Sequence, residues 1–142
     1  MSNKLRISEV LTSAGKLLTK AEKVKYLQDN TSPALRDILR INFDDDIISL
    51  LPEGSPPYKV DEAPDDSSWS DLHREYKMFA YFFKGPYSSM KQSKRESMFV
   101  QLLEKLHPSE AALFCAAKDK SIKYKGITKI MIKDAFPNLL KL

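Results

Sequence analysis

Apolar residues recur along this chain at intervals of three and four positions, the spacing that gathers side chains on one face of an α-helix. The first such pattern, which ends at Gly15, comprises Ile7, Val10, Leu11 and Ala14. We expect a helix there, with Gly15 as its C-terminal cap. No stretch alternates apolar and polar residues for long enough to predict a β-strand.

Polar residues that can accept hydrogen bonds from free backbone amides mark further helix starts. Thr19 with Glu22, and Ser93 with Glu96, have the spacing of a capping box, and Ser32 is followed by a proline, which suits the first helical position. The apolar residues that we expect these helices to bury are Ala21, Val24, Leu27, Leu35, Ile38, Leu39, Phe43, Phe99, Leu102, Leu103 and Leu106.

The most aromatic segment of the chain runs from Trp69 to Phe83. Helical spacing places Leu72, Tyr76, Phe79, Ala80 and Phe83 on its inner face, and Met78, Tyr81 and Phe82 at the flanks. A surface this wide predicts a central helix of the core. The alternative is a platform on which nucleic-acid bases stack, but such platforms usually lie on sheets or exposed loops.

The closing segments predict two more helices. One begins at Pro108 and continues to about Lys118, and the other begins near Ile127 and ends at Phe136, before a proline. The last helix is expected to bury Ile127, Ile130, Met131 and Ala135. Residues 1–142 therefore predict an all-α, single compact domain of seven or eight short helices, in which residues 52–68 form a long surface loop.

Length and composition narrow the class of protein. A chain of 142 residues can bury one continuous core without metals or disulfides. Its single cysteine, Cys115, lies in an apolar run, which indicates a buried thiol and a reducing compartment. No apolar run approaches the roughly 20 residues that span a bilayer, so we expect a soluble, cytoplasmic protein with no membrane partner.

The acidic triplet Asp44, Asp45 and Asp46 raises the hypothesis of a metal site. Consecutive side chains point in different directions, and the triplet has neither a nearby histidine nor the glycine of a calcium loop. We therefore expect an acidic helix start at this position and no metal site.

Charge is distributed unevenly along the chain. Residues 1–66 hold 9 Lys/Arg against 12 Asp/Glu, whereas residues 67–142 hold 14 against 7. This asymmetry is typical of a face that binds a polyanion, although lysines that only face solvent give the same pattern.

The densest lysine cluster surrounds Gly126. If the last helix begins directly after this glycine, the free amides of Ile127, Thr128 and Lys129 could bind a phosphate, with the threonine hydroxyl beside them. The residues expected to bind the DNA backbone are Lys118, Lys120, Lys123, Lys125, Gly126, Thr128, Lys129 and Lys133. Such contacts carry no base information. The alternative is that the glycine only joins two helices and the lysines face solvent.

The sequence contains no recognisable motif for catalysis. His73 and His107 have no serine, cysteine or carboxylate at a spacing that defines a catalytic pair, and there is no phosphate loop or dinucleotide-binding motif. We therefore expect no enzymatic activity, no catalytic residue and no cofactor.

Several segments, taken in order, resemble the N-terminal DNA-binding domain of ATP-dependent DNA ligases, especially the compact form in T-even phage ligases. At the front, the similar segments are residues 7–11, 20–30 and 35–44. At the back, residues 110–140 resemble the closing pair of helices of that family, where a basic or polar turn with a central glycine leads into a helix that ends in aromatic-Pro-x-Leu. Here that string reads Phe136-Pro137-Asn138-Leu139.

This resemblance implies an all-helical clamp that grips duplex DNA through its backbone and minor groove. It places Lys125, Gly126, Thr128 and Lys129 at the turn that holds phosphates. The chain lacks the Lys-x-Asp-Gly nucleophile motif of a ligase, and its nearest string is Lys123-Tyr124-Lys125-Gly126. The resemblance therefore implies a free-standing module that binds DNA and does not ligate it.

Two functions follow as hypotheses. The first is a non-enzymatic DNA-binding protein, a phage accessory factor in DNA replication or repair that binds duplex or nicked DNA in the host cytoplasm with little sequence preference. The second is a phage protein-interaction module that binds and modulates a host or phage protein through the acidic segments 44–46 and 61–66.

Overall fold

The computed structural model describes residues 5–59 and 70–139, which contain seven α-helices. They are α1 (Ile7–Gly15), α2 (Lys20–Asp29), α3 (Pro33–Phe43), α4 (Leu72–Glu75), α5 (Gln92–Lys105), α6 (Pro108–Lys118) and α7 (Lys129–Ala135), and a 3₁₀ helix over Tyr76–Phe82 continues α4. These two ranges contain no β-strand, and an isolated antiparallel bridge joins Ser49 to Phe83. The predicted all-α class is confirmed. Trp69 and positions 60–68 of the predicted loop lie outside the described residues.

The core forms where α3 and α6 pack together, and α2 packs on both α1 and α7. α1 also contacts α6, and the 3₁₀ helix contacts α3 and α5. Its centre is aromatic: the rings of Phe79 and Phe114 stack with centroids 4.7 Å apart, and Phe82 and Phe99 meet edge to face at 5.5 Å. Cys115 is buried as predicted, and burial raises the pKa of its thiol. The described residues of the aromatic segment therefore pack mainly in the core, and Tyr76 is only partly buried.

The aromatic segment is not one α-helix, and two of its predicted positions are wrong. Phe82, expected at the flank, is wholly buried, whereas Ala80, expected inside, is exposed. A 3₁₀ helix advances three residues per turn, so positions four apart no longer share a face. Met78 and Tyr81 are partly buried.

Two of the three predicted N-terminal helix caps are confirmed. The hydroxyl of Thr19 accepts from the amide of Glu22, and that of Ser32 accepts from the amide of Leu35. The predicted capping box at Ser93 is wrong, because α5 already begins at Gln92. Tertiary contacts fix this start: the guanidinium of the buried Arg95 donates to the carbonyls of residues 81 and 87, at 2.9 and 2.8 Å.

The acidic triplet does not begin a helix, so that prediction is wrong. Asp44 follows α3 and is buried, and its Oδ1 accepts from the amide of Asp46 at 2.9 Å, which turns the chain. The next residues run alongside residues 82–84, through bonds from Leu50 N to Phe82 O (2.9 Å) and from Lys84 N to Ile48 O (2.8 Å). Among the described residues, no cluster of His, Cys, Asp or Glu could hold a metal ion.

Three predicted details of α1, α2 and α7 are also wrong. The C-terminal cap of α1 is Lys16, and Gly15 is the last helical residue. Ala21 is exposed because it lies on the outer side of α2. The last helix begins two residues later than expected, at Lys129, so Ile132 faces the core and Ile130 is 69% exposed.

Glu110, in the first turn of α6, joins three helices through one buried carboxylate. Its side chain is inaccessible to solvent, and its two oxygens accept from the first amides of α1 and α4, Ile7 N at 3.0 Å and Leu72 N at 3.1 Å. Burial raises the pKa of Glu110, and these two backbone bonds partly oppose that rise.

In the described part of the chain, no helix has the length and hydropathy of a membrane span.

Candidate nucleic-acid interface

The segment between α6 and α7 begins with a helix-ending turn whose unusual residue is Lys120. The amides of Lys120 and Ser121 donate to the carbonyls of Ala117 (2.9 Å) and Ala116 (2.8 Å), the bond pair of a Schellman motif. Lys120 holds the left-handed position of that motif, φ +57°, where glycine is usual. The side chain explains why a lysine occupies this position in place of glycine. Its ammonium donates to two carbonyls at the end of α3, Ile41 O and Asp44 O, at 2.7 Å each.

Lys118 is also tied down. Its side chain is buried, and the ammonium donates to the carbonyls of Pro52 (2.8 Å) and Gly54 (2.9 Å) and to Oδ1 of Asp119 (2.7 Å). Both ammonium groups therefore fasten neighbouring chain segments, and the expectation that Lys118 and Lys120 bind DNA stays a prediction that these contacts do not favour. The sequence alone could not reveal this, because the carbonyls that they bind lie about 65 to 80 positions away.

The second part of the turn leaves its lysines accessible. Lys123 and Lys125 are exposed and form no ion pair with any described carboxylate. Gly126 has φ +72°, which a glycine adopts without strain. The sequence predicted a free amide at Ile127. That prediction is wrong, because this amide donates to Tyr124 O at 3.0 Å.

The remaining predicted residues lie on α7 or at its start. The hydroxyl of Thr128 accepts from the amide of Met131 at 3.2 Å and so caps the helix. Lys129 is partly buried, with its ammonium 3.7 Å from Oδ2 of Asp45. Lys133 is partly buried in the last turn of α7. The predicted site thus divides into two structural lysines, an accessible turn and two partly buried helix lysines.

The fold brings a second basic segment, the corner between α1 and α2, against this turn. A Cβ atom built on Gly15 would lie 2.7 Å from the carbonyl oxygen of Lys125, closer than side chains approach a backbone oxygen. A Cβ atom on Gly126 would likewise clash with the side chain of Lys23. Two glycines therefore allow segments more than 100 residues apart in sequence to touch.

We call the combined surface of residues 16–23 and 123–128 the basic surface. It adds Lys16, Lys20 and Lys23 to the predicted lysines. Lys16 is exposed, Lys20 pairs with Asp134, and the ammonium of Lys23 donates to the carbonyl of Leu17. These three lysines were not predicted from the sequence, whose only signal for them was the pair of glycines.

A groove of about 370 Å³ runs between the two segments of the basic surface. Leu18, 93% exposed, and Ile130, 69% exposed, line it together with Lys20, Gly126 and Thr128. Ammonium groups around a shallow groove can bind the phosphates of a polyanion without reading its bases. Aliphatic side chains at such a groove can contact the apolar edges of sugars or of a partner protein.

No curated protein and no solved structure matches the chain. A family described as a family of unknown function, DUF6433, matches residues 10–124, from α1 to the middle of the turn after α6. The matched region includes the corner lysines and Lys123, and it ends before Gly126. Since the match covers most of its length, the chain belongs to family DUF6433.

Proposed function

We propose that this protein binds the phosphate backbone and minor groove of duplex or nicked DNA without catalysing a reaction. The observation that carries the proposal is the meeting of two lysine-bearing segments at the basic surface. Lys16, Lys123 and Lys125 are exposed residues of these segments, and no carboxylate of the described residues pairs with them. Lysines held in this way can exchange their counterions for DNA phosphates.

The resemblance to ligase DNA-binding domains supports the same proposal. That family uses an all-helical fold and a turn with a central glycine before its closing helix. Here Gly126 lies in such a turn, and α7 ends just before Phe136 and Pro137. We accordingly infer a phage accessory factor in DNA replication or repair, active in the host cytoplasm and binding with little sequence preference.

Charge reversal at the basic surface tests the proposal. In the variant Lys16→Glu, Lys123→Glu, Lys125→Glu, we expect affinity for a short nicked duplex to fall by about 100-fold or more at low salt, because three attractive interactions with phosphates become repulsive. Fluorescence anisotropy with nicked, intact and single-stranded DNA would measure it. Lys129 is left unchanged because it lies beside Asp45.

The matched control reverses three exposed lysines elsewhere, Lys59, Lys91 and Lys94, and so changes the net charge by the same amount. We expect that variant to retain most of the affinity. Equal loss in both variants would mean that only net charge matters, and no loss in the first would remove the basic surface from the proposal. Circular dichroism on both variants checks that the helices remain.

A second candidate is a protein-interaction module that binds and modulates a host or phage protein. The exposed aliphatic pair Leu18 and Ile130 favours it, since two such side chains rarely lie together on a surface that contacts only water. The acidic segment 44–46 is less suited, because Asp44 is buried, and residues 61–66 lie outside the described part of the chain. A partner retained from nuclease-treated host lysate, together with no binding of DNA at low salt, would favour this candidate.

A further inference from the structure

A second cleft lies between α3 and the 3₁₀ helix, and the proposed DNA contacts do not use it. Its volume is about 360 Å³, near the lower end of the roughly 300–1,000 Å³ that is usual for small-molecule sites. Its polar lining consists of Asp37 and Arg40 from α3, Tyr76 and Lys77 from the 3₁₀ helix, and Lys84. This volume suits a ligand of about one nucleotide and not a longer one.

Arg40 is a cationic residue of this cleft, and its guanidinium is not fully paired within the described chain. Its Nε atom is buried and has no hydrogen-bond partner among the described residues. A buried guanidinium nitrogen without an acceptor is costly, and nearly all buried donors in folded proteins have a partner. Because solvent does not reach Nε, an anionic oxygen in the cleft would bind the part of Arg40 that lines the cleft and not Nε itself.

The charges around the cleft favour a ligand with two negative charges. Lys77 and Lys84 are exposed and pair with no carboxylate in the described ranges. Asp37 is the one carboxylate among the described lining residues, and burial raises its pKa, against the opposing effect of Arg40 and Arg36. Three cations against one carboxylate leave an excess of about two positive charges, which matches a phosphate monoester near neutral pH.

The rest of the lining is apolar, which a free phosphate would not need. Ile41, Ile47, Phe79 and Phe83 line the cleft, and the partly buried ring of Tyr76 lies beside them. An aromatic ring in such a position can stack on a planar base, and stacking tolerates every base because each has a π face. The ligand therefore combines a phosphate monoester with a planar apolar group.

The walls of the cleft are fixed before any ligand binds. Backbone bonds between residues 48–50 and 82–84 hold the Phe83 side, at 2.8 and 2.9 Å. On the other side, the ammonium of Lys120 holds the carbonyl of Ile41 at the end of α3. A preformed site loses little conformational entropy on binding, so even a small ligand can bind measurably.

We propose that this cleft binds a nucleoside 5′-monophosphate, either free or at the 5′ end of a nucleic-acid strand. The phosphate lies among Arg40, Lys77 and Lys84, and the base lies against Tyr76. This site is separate from the lysines of the basic surface, and it would stand if DNA binding there failed.

Titration of the full chain with nucleotides tests the cleft. Adenosine and cytidine 5′-monophosphate serve as probes, isothermal calorimetry gives the affinity, and amide NMR shifts give the location. We expect a Kd of about 1 mM or tighter, at least about tenfold weaker binding of adenosine and of inorganic phosphate, and shifts at residues 76–86. No binding of either nucleotide, or equal binding of adenosine, would overturn the proposal.

Variants confined to exposed lysines keep the test independent of folding. Lys77→Ala with Lys84→Ala should weaken nucleotide binding by about tenfold or more, whereas Lys91→Ala with Lys94→Ala should leave it unchanged. Equal affinities in the two variants, or NMR shifts confined to the basic surface, would contradict the assignment of the cleft.

A final comparison distinguishes the two sources of the ligand. It uses the variant with Lys16, Lys123 and Lys125 changed to glutamate, so that DNA binding at the basic surface does not interfere. Competition by a 5′-phosphorylated trinucleotide, and not by its 5′-hydroxyl form, would assign the cleft to a strand end. Failure of both trinucleotides to displace bound mononucleotide would assign it to the free nucleotide.

Discussion

Glu110 contributes to the fold more than its place in the sequence suggests. A glutamate two residues after Pro108 fits the first turn of a helix, and nothing in the sequence shows that its carboxylate reaches two other helices. Because its side chain is inaccessible to solvent, removal leaves two buried amides without an acceptor.

We predict that Glu110→Ala lowers the free energy of unfolding by about 3 kcal/mol or more, the cost of two unpaired buried amides. Urea unfolding followed by circular dichroism would measure it. Glu96→Ala, at an exposed position of α5, is the control and should change stability by no more than about 0.5 kcal/mol. A similar small change for both variants would contradict the joining role of Glu110.

The raised pKa of Glu110 adds a pH dependence to the same prediction. A carboxyl whose pKa is higher in the folded chain contributes stability below its unfolded pKa, and this contribution is lost as pH rises through the folded pKa. The stability of the parent chain relative to Glu110→Gln, which does not titrate, should therefore decline as pH rises above the ordinary glutamate pKa of 4.5. A rise above that pH would mean that the ionised form is the one that folding favours.

Single residues also show why the accessible lysines of the proposed binding site were only partly predictable. Lys118 and Lys123 are the same residue type in the same lysine-rich stretch, yet one is buried and the other exposed. The difference comes from residues 52–54, whose carbonyls pass over the end of α6. Local sequence predicts that charge is present, and only tertiary contacts decide which charges reach solvent.

At the scale of elements, helix starts were predictable where a side chain caps its own helix. In the caps at Thr19 and Ser32, the hydroxyl and the amide that it binds are three positions apart, so a short stretch of sequence contains both partners. The start of α5 and the 3₁₀ segment were not predictable, because Arg95 bonds carbonyls of another segment and the rings of residues 79 and 82 pack on other helices. Local signals predict an element well only when its determinants are local.

The contact between the α1 end and the turn after α6 can be tested at Gly15. In a helix, replacing glycine by alanine usually stabilises by up to about 1 kcal/mol. Here the added Cβ would meet the backbone oxygen of Lys125 at 2.7 Å, so we predict that Gly15→Ala destabilises the protein by about 1 to 3 kcal/mol. The same variant should weaken DNA binding, because the two segments of the basic surface are forced apart.

Thermal unfolding and anisotropy would measure the two effects of Gly15→Ala. Thr12→Ala, at an exposed position of the same helix, is the control for helix propensity and should stabilise the protein by up to about 0.7 kcal/mol while leaving DNA binding unchanged. Stabilisation by Gly15→Ala would mean that the two segments do not press together as described.

At the scale of the whole molecule, the position of the charges matters more than their sum. The formal net charge is only +4, but folding places lysines of the α1–α2 corner beside those of the turn after α6. In the proposed function, their shared surface contacts several phosphates of one DNA molecule. Binding should therefore depend on salt more steeply than a net charge of this size alone suggests.

We predict that changing Lys16, Lys123 and Lys125 to alanine makes the slope of log K against log salt for duplex DNA shallower by about 2.7, which is about 0.9 for each phosphate that a lysine no longer neutralises. Anisotropy titrations over a range of salt concentrations would give both slopes. Parallel slopes for the parent and variant proteins would place the phosphate-binding residues elsewhere on the molecule.

The sequence by itself determined the all-α class, most helix positions, two N-terminal caps and the lysine-rich turn around Gly126. Each of these follows from periodicity or from residues a few positions apart. The tertiary structure decided which lysines are accessible, which carboxylate joins three helices and which segment packs against the turn after α6. Those features depend on groups roughly 40 to more than 100 positions apart, whose distances are set only when the core packs. The cleft of Arg40 belongs to the same class, since α3 and the 3₁₀ helix meet only in the folded chain.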